Sequence, residues 1–379
     1  MDPHAILSHF TARQSAILNS IKEIVEIESP SHDAVRNREV VDWVEQCAMC
    51  TGADLSIERL AVQDGDHLVI RAFPADVKPV LLLGHTDTVH PVGTNLQNPT
   101  RIEGDKFYGC GIFDMKSGIV LMLEALRFFA ETGVSPGRPI TIVLSCDEEV
   151  GSTTGRWLVE REAANADHCL VFEPSAAGRV KTGRKGTGMY TLRARGLPAH
   201  AGLEPEKGAN AIVELARHME QLSGFANPDL GSTVNVTTFH GGTATNVIPA
   251  GAACEIDVRF ASMGEAERID SAIHGLDPVD ARVSLETLGG INRPPMERTA
   301  EVVQLYERAS RLAATFGYRL GETQVGGASD GNFVAALGVP VLDGLGIAGD
   351  GAHTLEEHIL VSDVAGRATL ITMLLTDLT

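Results

Sequence analysis

The sequence lacks a long uninterrupted apolar stretch. Its most apolar segment, residues 118–130, is broken by Glu124 and Arg127 and is shorter than the roughly 20 residues that a membrane-spanning helix needs. The first residues lack the positive cap and the continuous apolar core of a secretory signal. We therefore expect a cytoplasmic protein without a transmembrane segment.

Positive charge is also scarce. The 379 residues include 31 Lys and Arg against 50 Asp and Glu, which gives a net charge of −19. A chain with this charge repels nucleic acid and anionic membrane surfaces as a whole. We expect neither as a partner, and local basic residues must bind any anionic substrate.

Close pairs of cysteines are nearly absent. Of six cysteines, only Cys47 and Cys50 form a C-x-x-C, and it lies in a helical pattern. The sequence contains no second C-x-x-C to complete a four-sulfur zinc site. We expect both thiols to be buried as small apolar side chains in a reducing compartment.

The first part of the sequence alternates strand and helix patterns. Short apolar runs at residues 80–85, 140–146 and 168–172 are typical of strands that are covered on both faces. Helical spacing of apolar residues occurs at 11–29, 35–50, 114–131 and 153–164. This order predicts an α/β fold in which crossover helices flank a central sheet.

The pattern changes after Pro174. Tyr190, Leu192 and Ala194 alternate with polar neighbours, as in a strand with one exposed face. Further strands at 232–240, 251–261 and 281–288 and helices at 207–223 and 263–275 follow. We predict an α/β domain made of residues 1–177 and 292–379, interrupted by an inserted α+β domain at 178–291.

Candidate metal ligands follow successive predicted strands, where open α/β sheets bind their ligands. Each one alone has another explanation, such as a helix cap or a solvated acidic loop. Together they supply the nitrogen and oxygen donors that suit zinc or a similar divalent ion. The donors come from His85, Asp114, the acidic run of Asp147, Glu148 and Glu149, Glu173 and His353, and Asp87 lies beside His85, where it can fix the tautomer of the imidazole.

Five segments resemble, in order, the metal-site motifs of the M20 metallopeptidase family. They are GHTDTVHP, GIFDMKSG, DEEVGS, FEPS and GAHTLEEH, and they span residues 84–358. The resemblance implies an enzyme with a zinc-peptidase-type catalytic domain, whose mixed central sheet is flanked by helices. It also implies that the inserted α+β domain is ferredoxin-like and serves as a dimerisation or lid domain.

The same resemblance implies a set of metal ligands. One of two zinc ions per subunit is bound by His85, Asp114 and Glu173. The other is bound by Asp114, Glu149 and His353, so that Asp114 bridges the two ions. Cobalt or manganese suits the same donors. The peptide bond between Asp114 and Met115 is cis in similar proteins.

Three further residues receive catalytic roles from the resemblance. Glu148 matches the general base that accepts a proton from the attacking water. Asp87 is the partner that orients His85. His200, in GLPAHAG, hydrogen-bonds the oxyanion of the tetrahedral intermediate, commonly from the partner subunit of a dimer.

The substrate is inferred from two other segments. GGTATNVIPAGAACEIDVRF resembles a substrate-binding stretch in which Asn246 and Arg259 contact a carboxylate. GGASDGNF, with Gly327 and Ser329, resembles the loop of the glutamate carboxypeptidase branch, although Ser329 departs from the commoner GGxTD form. This implies a homodimeric metallocarboxypeptidase that releases glutamate or a similar amino acid from a small peptide or N-acyl amino acid.

Two alternatives remain open. An N-acyl-amino-acid deacylase, of the acetylornithine deacetylase or succinyl-diaminopimelate desuccinylase type, shares the metal ligands and differs in the substrate pocket. A non-catalytic metal-binding protein is the alternative of another class, and Glu148, which the ions do not need, argues against it. A serine hydrolase is disfavoured because Ser329 has no obvious histidine partner in the sequence.

Overall fold

A computed structural model describes residues 2–379 of the chain. The helices are α1 (Pro3–Glu26), α2 (Ala34–Met49), α3 (Thr94–Gln97), α4 (Ser117–Thr132), α5 (Arg156–Ala163), α6 (Ala211–Ser223), α7 (Met263–His274), α8 (Ala300–Ala314), α9 (Gly331–Ala336) and α10 (Val364–Asp377). The strands are β1 (Leu55–Val62), β2 (Gly65–Ala72), β3 (Val80–His85), β4 (Arg101–Glu103), β5 (Lys106–Tyr108), β6 (Ile140–Ser145), β7 (His168–Val171), β8 (Val180–Arg184), β9 (Gly186–Arg195), β10 (Thr233–Gly241), β11 (Gly251–Phe260), β12 (Ser284–Arg293), β13 (Glu322–Val325), β14 (Val341–Leu342), β15 (Gly349–Asp350) and β16 (His358–Leu360).

A six-stranded mixed sheet is the centre of the first part of the fold. Its strand order is β1-β2-β6-β3-β7-β14, with β6, β3, β7 and β14 parallel and β1 and β2 antiparallel. Every residue of β3 and β6 is buried, as predicted for strands that are covered on both faces. Helices α1, α4 and α10 pack on one another, and their residues Ile17, Leu126 and Leu374 are fully buried in the same core. The predicted α/β fold with a mixed central sheet is confirmed.

The chain divides into two units. The first contains the residues up to Gly183, Arg298–Gln324 and Ser329–Thr379, and the second contains Arg184–Glu297 and Val325–Ala328. The second unit is built on an antiparallel sheet of order β10-β11-β9-β12, on which α6 and α7 pack.

Alternation along β9 follows the sequence pattern. Tyr190, Leu192 and Ala194 are buried in the core of the second unit, whereas Met189 is exposed. One face of this strand therefore lies beneath the helices and the other faces solvent, as predicted.

Two smaller sheets complete the fold. One pairs β8 with β13, and the other has the antiparallel order β15-β16-β5-β4. The loop between β15 and β16 carries His353, which adopts the left-handed conformation with φ of 65°. This small sheet brings the loop beside β5, which precedes Asp114.

Two local expectations need correction. Cys47 is half-buried and Cys50 is exposed, so the expected burial of both thiols is wrong. Helix α2 ends at Met49, which leaves Cys50 outside the buried stripe of that helix. The helix predicted from residue 114 begins at Ser117, because a π-turn at Ile112–Lys116 precedes it.

The peptide bond between Asp114 and Met115 is cis, as the resemblance implies. Within residues 2–379, no helix is both long and apolar enough to cross a bilayer.

Candidate metal centre

His85 is the last residue of β3 and is almost completely buried. Its Nδ1 lies 2.9 Å from the backbone oxygen of Asp87 and 3.4 Å from the Asp87 Oδ1. A proton on Nδ1 can be donated to these oxygens, and the lone pair of Nε2 is then left for a metal ion. The strand end and its acidic neighbour thus orient the imidazole.

Asp114 lies between two histidines. Its Oδ1 is 3.2 Å from His85 Nε2, and its Oδ2 is 3.2 Å from His353 Nε2. The two histidines come from β3 and from the β15–β16 loop, which are far apart in the sequence. One carboxylate therefore connects two groups of potential ligands.

A glutamate completes each group. Glu173 Oε1 lies 3.3 Å from His85 Nε2, and Glu149 Oε2 lies 3.2 Å from His353 Nε2. Glu148 is close as well, because it can offer an oxygen that lies within 4.8 Å of donor atoms of both His85 and Glu173. The structure thus brings together the five ligands that the resemblance implies, which are His85, Asp114, Glu149, Glu173 and His353.

The spacing of the donor atoms fits metal ions. Four ligands at about 2.0 Å from a tetrahedral ion are separated from each other by about 3.3 Å. The four distances from His85 and His353 to the carboxylates are 3.2 to 3.3 Å. In addition, Glu149 Oε1 is buried and has no hydrogen-bond partner among residues 2–379. A cation would satisfy this orphaned oxygen.

The clustered carboxylates of the centre need positive charge to compensate their negative charge. Hydrogen bonds to Asp114 and Glu149 raise the pKa of His353 to about 10. Burial would lower the pKa of His85, but hydrogen bonds to Asp114, Asp87 and Glu173 raise it well above its usual value. Burial also raises the pKa of Glu149. In the protein alone, protonated imidazoles compensate the carboxylates, and divalent cations can take over that role.

Asp87 fixes two loops at once. Its Oδ1 accepts the backbone N–H of Glu148 at 3.1 Å, and its Oδ2 accepts the Ser31 hydroxyl at 2.7 Å. Burial would raise the pKa of Asp87, but the hydrogen bond to His85 and its other donors outweigh burial, so the pKa is lowered. The side chain is therefore an anion that supports both His85 and the loop after β6.

Asp147, the first of three consecutive acidic residues, has a different environment. It accepts the backbone N–H of Thr154 at 2.7 Å and of Gly155 at 3.1 Å, just before α5. These hydrogen bonds hold the segment that leads into α5. Glu148 and Glu149 are the members of the acidic run that face the candidate ligands.

Three of the predicted substrate contacts lie in the second unit. His200 is exposed, and its Nδ1 accepts the N–H groups of Gly202 and Leu203 at 3.2 and 3.1 Å. Asn246 is exposed too. Arg259 is half-buried and forms a two-pronged ion pair with Asp257, at 3.0 and 2.8 Å.

The predicted loop residues differ from each other in exposure. Gly327 is exposed, and its carbonyl accepts a hydrogen bond from Arg184 at 3.2 Å. Ser329 is fully buried, and its hydroxyl donates to Asp343 at 2.7 Å. The hydrogen bond to Asp343 therefore anchors the Ser329 end of the predicted loop in the protein interior.

Glu357 was assigned no role from the sequence. It is fully buried, and its carboxylate accepts the backbone N–H groups of Gly111, Phe113 and Asp114 at 2.8 to 2.9 Å. His90 Nε2 lies 2.8 Å from the same carboxylate. Its place in GAHTLEEH was the available signal, but the sequence alone does not distinguish it from Glu356 beside it.

Comparison with known proteins agrees with this geometry. The profile of Peptidase family M20/M25/M40 matches residues 81–377. Carboxypeptidase G2 from Pseudomonas sp. (strain RS-16) is 31% identical over 380 residues, which cover 97% of this chain and 90% of that protein. Succinyl-diaminopimelate desuccinylase from Verminephrobacter eiseniae is 32% identical over 76% of this chain and 75% of that protein.

Solved structures share the fold at low identity. The aminopeptidase PepT from Bacillus cereus has a TM-score of 0.76 at 22% identity, over 96% of this chain and 98% of that one. Human carnosine dipeptidase 1 has a TM-score of 0.71 at 13% identity, over 100% of this chain and 99% of that one.

Proposed function

Because the chain belongs to the M20/M25/M40 peptidase family and is a metallohydrolase, we propose that it cleaves an amide bond next to a free carboxylate and releases glutamate or a similar amino acid. The observation that carries the proposal is the position of Asp114, whose two carboxylate oxygens face two different histidines. A carboxylate in this position can bind two ions at once, as a two-ion hydrolase can use.

The proposed cofactor is a pair of zinc ions. His85, Asp114 and Glu173 would hold one ion, and Asp114, Glu149 and His353 would hold the other. When bound, such ions polarise a carbonyl and make water more acidic. The donors are nitrogen and carboxylate oxygen, so cobalt or manganese would also be accepted.

Glu148 is the proposed general base. It lies close to His85 and Glu173, while its neighbour Glu149 faces His353. Glu148 accepts a proton from the attacking water and delivers it to the leaving amine. The Asp87 carboxylate holds the Glu148 backbone, and this keeps the base in place through the reaction.

The proposed substrate contacts come from four further residues. His200 stabilises the oxyanion, and Asn246 and Arg259 bind the substrate carboxylate. Arg259 is pre-oriented by its pair with Asp257, whose carboxylate the substrate must share or replace. The backbone of the Gly327 loop lines the pocket, and the buried Ser329 supports that loop from below.

The release of glutamate is preferred over deacylation for one reason. Carboxypeptidase G2 from Pseudomonas sp. matches 97% of this chain at 31% identity, whereas two desuccinylases of similar identity, 32% and 31%, match 76% of it. The desuccinylase relatives make an N-acyl-amino-acid deacylase the second candidate.

A homodimer through the second unit belongs to the same proposal. Strand β10 is an edge strand of its sheet, and Phe239 on it is exposed. An unpaired edge with an apolar side chain favours pairing with a second copy. Light scattering would give the molar mass, and a monomer would contradict this part of the proposal.

The test of function is amino-acid release from a panel of N-acyl and N-aminoacyl glutamates, aspartates, alanines and ornithines. Zinc-loaded enzyme is compared with its Glu148→Ala variant. Free glutamate released by the wild type alone would support both the substrate class and the base. Release of only acetyl or succinyl groups from basic amino acids would replace the proposal by the deacylase.

A further inference from the structure

The buried carboxylate of Glu357 lies at the meeting point of two loops of the candidate centre. Phe113 and Asp114 donate their N–H groups to Oε1, both at 2.9 Å. Oε2 accepts the N–H of Gly111 at 2.8 Å and lies 2.8 Å from His90 Nε2. Each of the two carboxylate oxygens thus has two polar partners.

The backbone of the same residue adds two further connections. The carbonyl of Glu357 accepts the N–H of Gly109 at 3.2 Å. The N–H of Glu357 donates to the carbonyl of Thr354 at 3.3 Å, beside His353. Glu357 therefore links the turn that presents Asp114 to the loop that presents His353.

From these contacts we propose that Glu357 is a positioning residue, which sets the separation of Asp114 and His353 and thereby the affinity of the centre for its second ion. This inference rests on the two-ion site of the proposed function. A charge buried in protein is tolerated only when it is well hydrogen-bonded, and here backbone groups of the turn supply most of those bonds. The carboxylate therefore fixes the conformation of the turn through these hydrogen bonds.

Glutamine cannot replace this carboxylate. It has the same shape, but one of its two terminal atoms donates and cannot accept. Whichever way the amide is oriented, its NH2 group faces a backbone N–H of the turn, and the turn must move away. Aspartate keeps both acceptors but brings them closer to its own backbone. Glu356 is the matched control because it is exposed on the same loop.

The test compares wild type, Glu357→Gln, Glu357→Asp and Glu356→Gln. Zinc affinity is measured by competition with a chromophoric chelator, without any substrate. The visible spectrum of the cobalt-loaded protein reports on the ligand geometry, and thermal unfolding checks the fold. We expect Glu357→Gln to lower the affinity for one of the two ions by roughly 10- to 100-fold and to change the cobalt spectrum. Glu356→Gln should match the wild type in both.

Each outcome has a defined meaning. Wild-type zinc affinity and an unchanged cobalt spectrum in folded Glu357→Gln would overturn the inference. If Glu357→Gln does not fold, the same measurements are made on Glu357→Asp, which retains the charge. Weaker zinc binding and a changed cobalt spectrum in Glu357→Asp would then support the inference, and wild-type values would overturn it. Weaker metal binding together with a failure of wild type to release glutamate would preserve the positioning role and reject the proposed substrate.

Discussion

The Asp87 carboxylate accepts the backbone N–H of Glu149 at 3.1 Å. Asp87 follows β3 and Glu149 follows β6, the adjacent parallel strand. This hydrogen bond ties together the ends of two neighbouring strands, each of which presents a candidate ligand. The position of Glu149 therefore depends on an anion that touches no proposed ion itself.

Replacement of Asp87 by Asn should weaken the centre while the fold is retained. The amide keeps one acceptor, but its NH2 group faces either the Glu148 or the Glu149 N–H. We expect a loss of roughly 10- to 100-fold in zinc affinity or in kcat. Chelator competition and initial rates measure the two, with Asp76→Asn, an exposed loop residue, as the control. Unchanged values for Asp87→Asn would show that the link is dispensable.

The two adjacent glutamates should respond differently to the same substitution. Glu148→Gln removes the proposed base, so kcat should fall roughly 10²- to 10⁴-fold while both ions stay bound. Glu149→Gln removes a proposed ligand, so the protein should bind one ion less. Elemental analysis gives the metal content per chain. Loss of an ion from Glu148→Gln would instead make Glu148 a ligand.

Metal uptake should release protons at neutral pH. The pKa of His353 is raised to about 10 by Asp114 and Glu149, so without metal the imidazole is protonated at pH 7. An ion must displace that proton, and apparent affinity should therefore rise with pH up to about 10. In the metal-free protein, the attraction between protonated His353 and the carboxylates of Asp114 and Glu149 stabilises the fold. This contribution is fully present below a pH of about 6.5 and is lost as the pH rises through about 10. Zinc calorimetry in two buffers of different ionisation enthalpy counts the protons, and heats that are independent of the buffer would refute the prediction.

In the second unit, the ionised carboxylate of Glu214 should raise the free energy of unfolding at neutral pH. Its buried carboxylate accepts the backbone N–H groups of Val279 and Asp280. Burial would raise the pKa of Glu214, but these hydrogen bonds and one to His218 lower it overall. The stabilisation is therefore present above the unfolded pKa of about 4.3 and is lost as the pH falls through the lower folded value.

Glu214→Gln should accordingly cost about 1 to 3 kcal/mol of unfolding free energy at pH 7, and less below pH about 4. Denaturant unfolding at both pH values measures the difference. Glu220→Gln, on the exposed side of α6, should leave stability within about 0.5 kcal/mol of wild type. A deficit of Glu214→Gln that stays constant with pH would contradict the assigned sign.

Much of the centre followed from local sequence patterns. The apolar run that ends at His85 predicts a buried strand, and a strand end exposes its last side chain to a ligand site. The same reasoning located the acidic run at residues 147–149 and Glu173, because each follows its own predicted strand. The choice of Glu149 as the ligand within that run came from the family resemblance.

Other features required the folded chain. Glu356 and Glu357 are adjacent and chemically alike, and only the turn at Gly111–Asp114 determines which one is buried. The exposure of Cys50 depends on where α2 ends, and apolar spacing locates helix ends poorly.

The order of the ligands along the chain has a consequence for biosynthesis. His85, Asp114, Glu149 and Glu173 all precede the second unit, whereas His353 follows it. A ribosome therefore completes the first group of donors long before it adds the histidine of the other. The proposed second ion would therefore lack one of its three ligands until synthesis has passed His353.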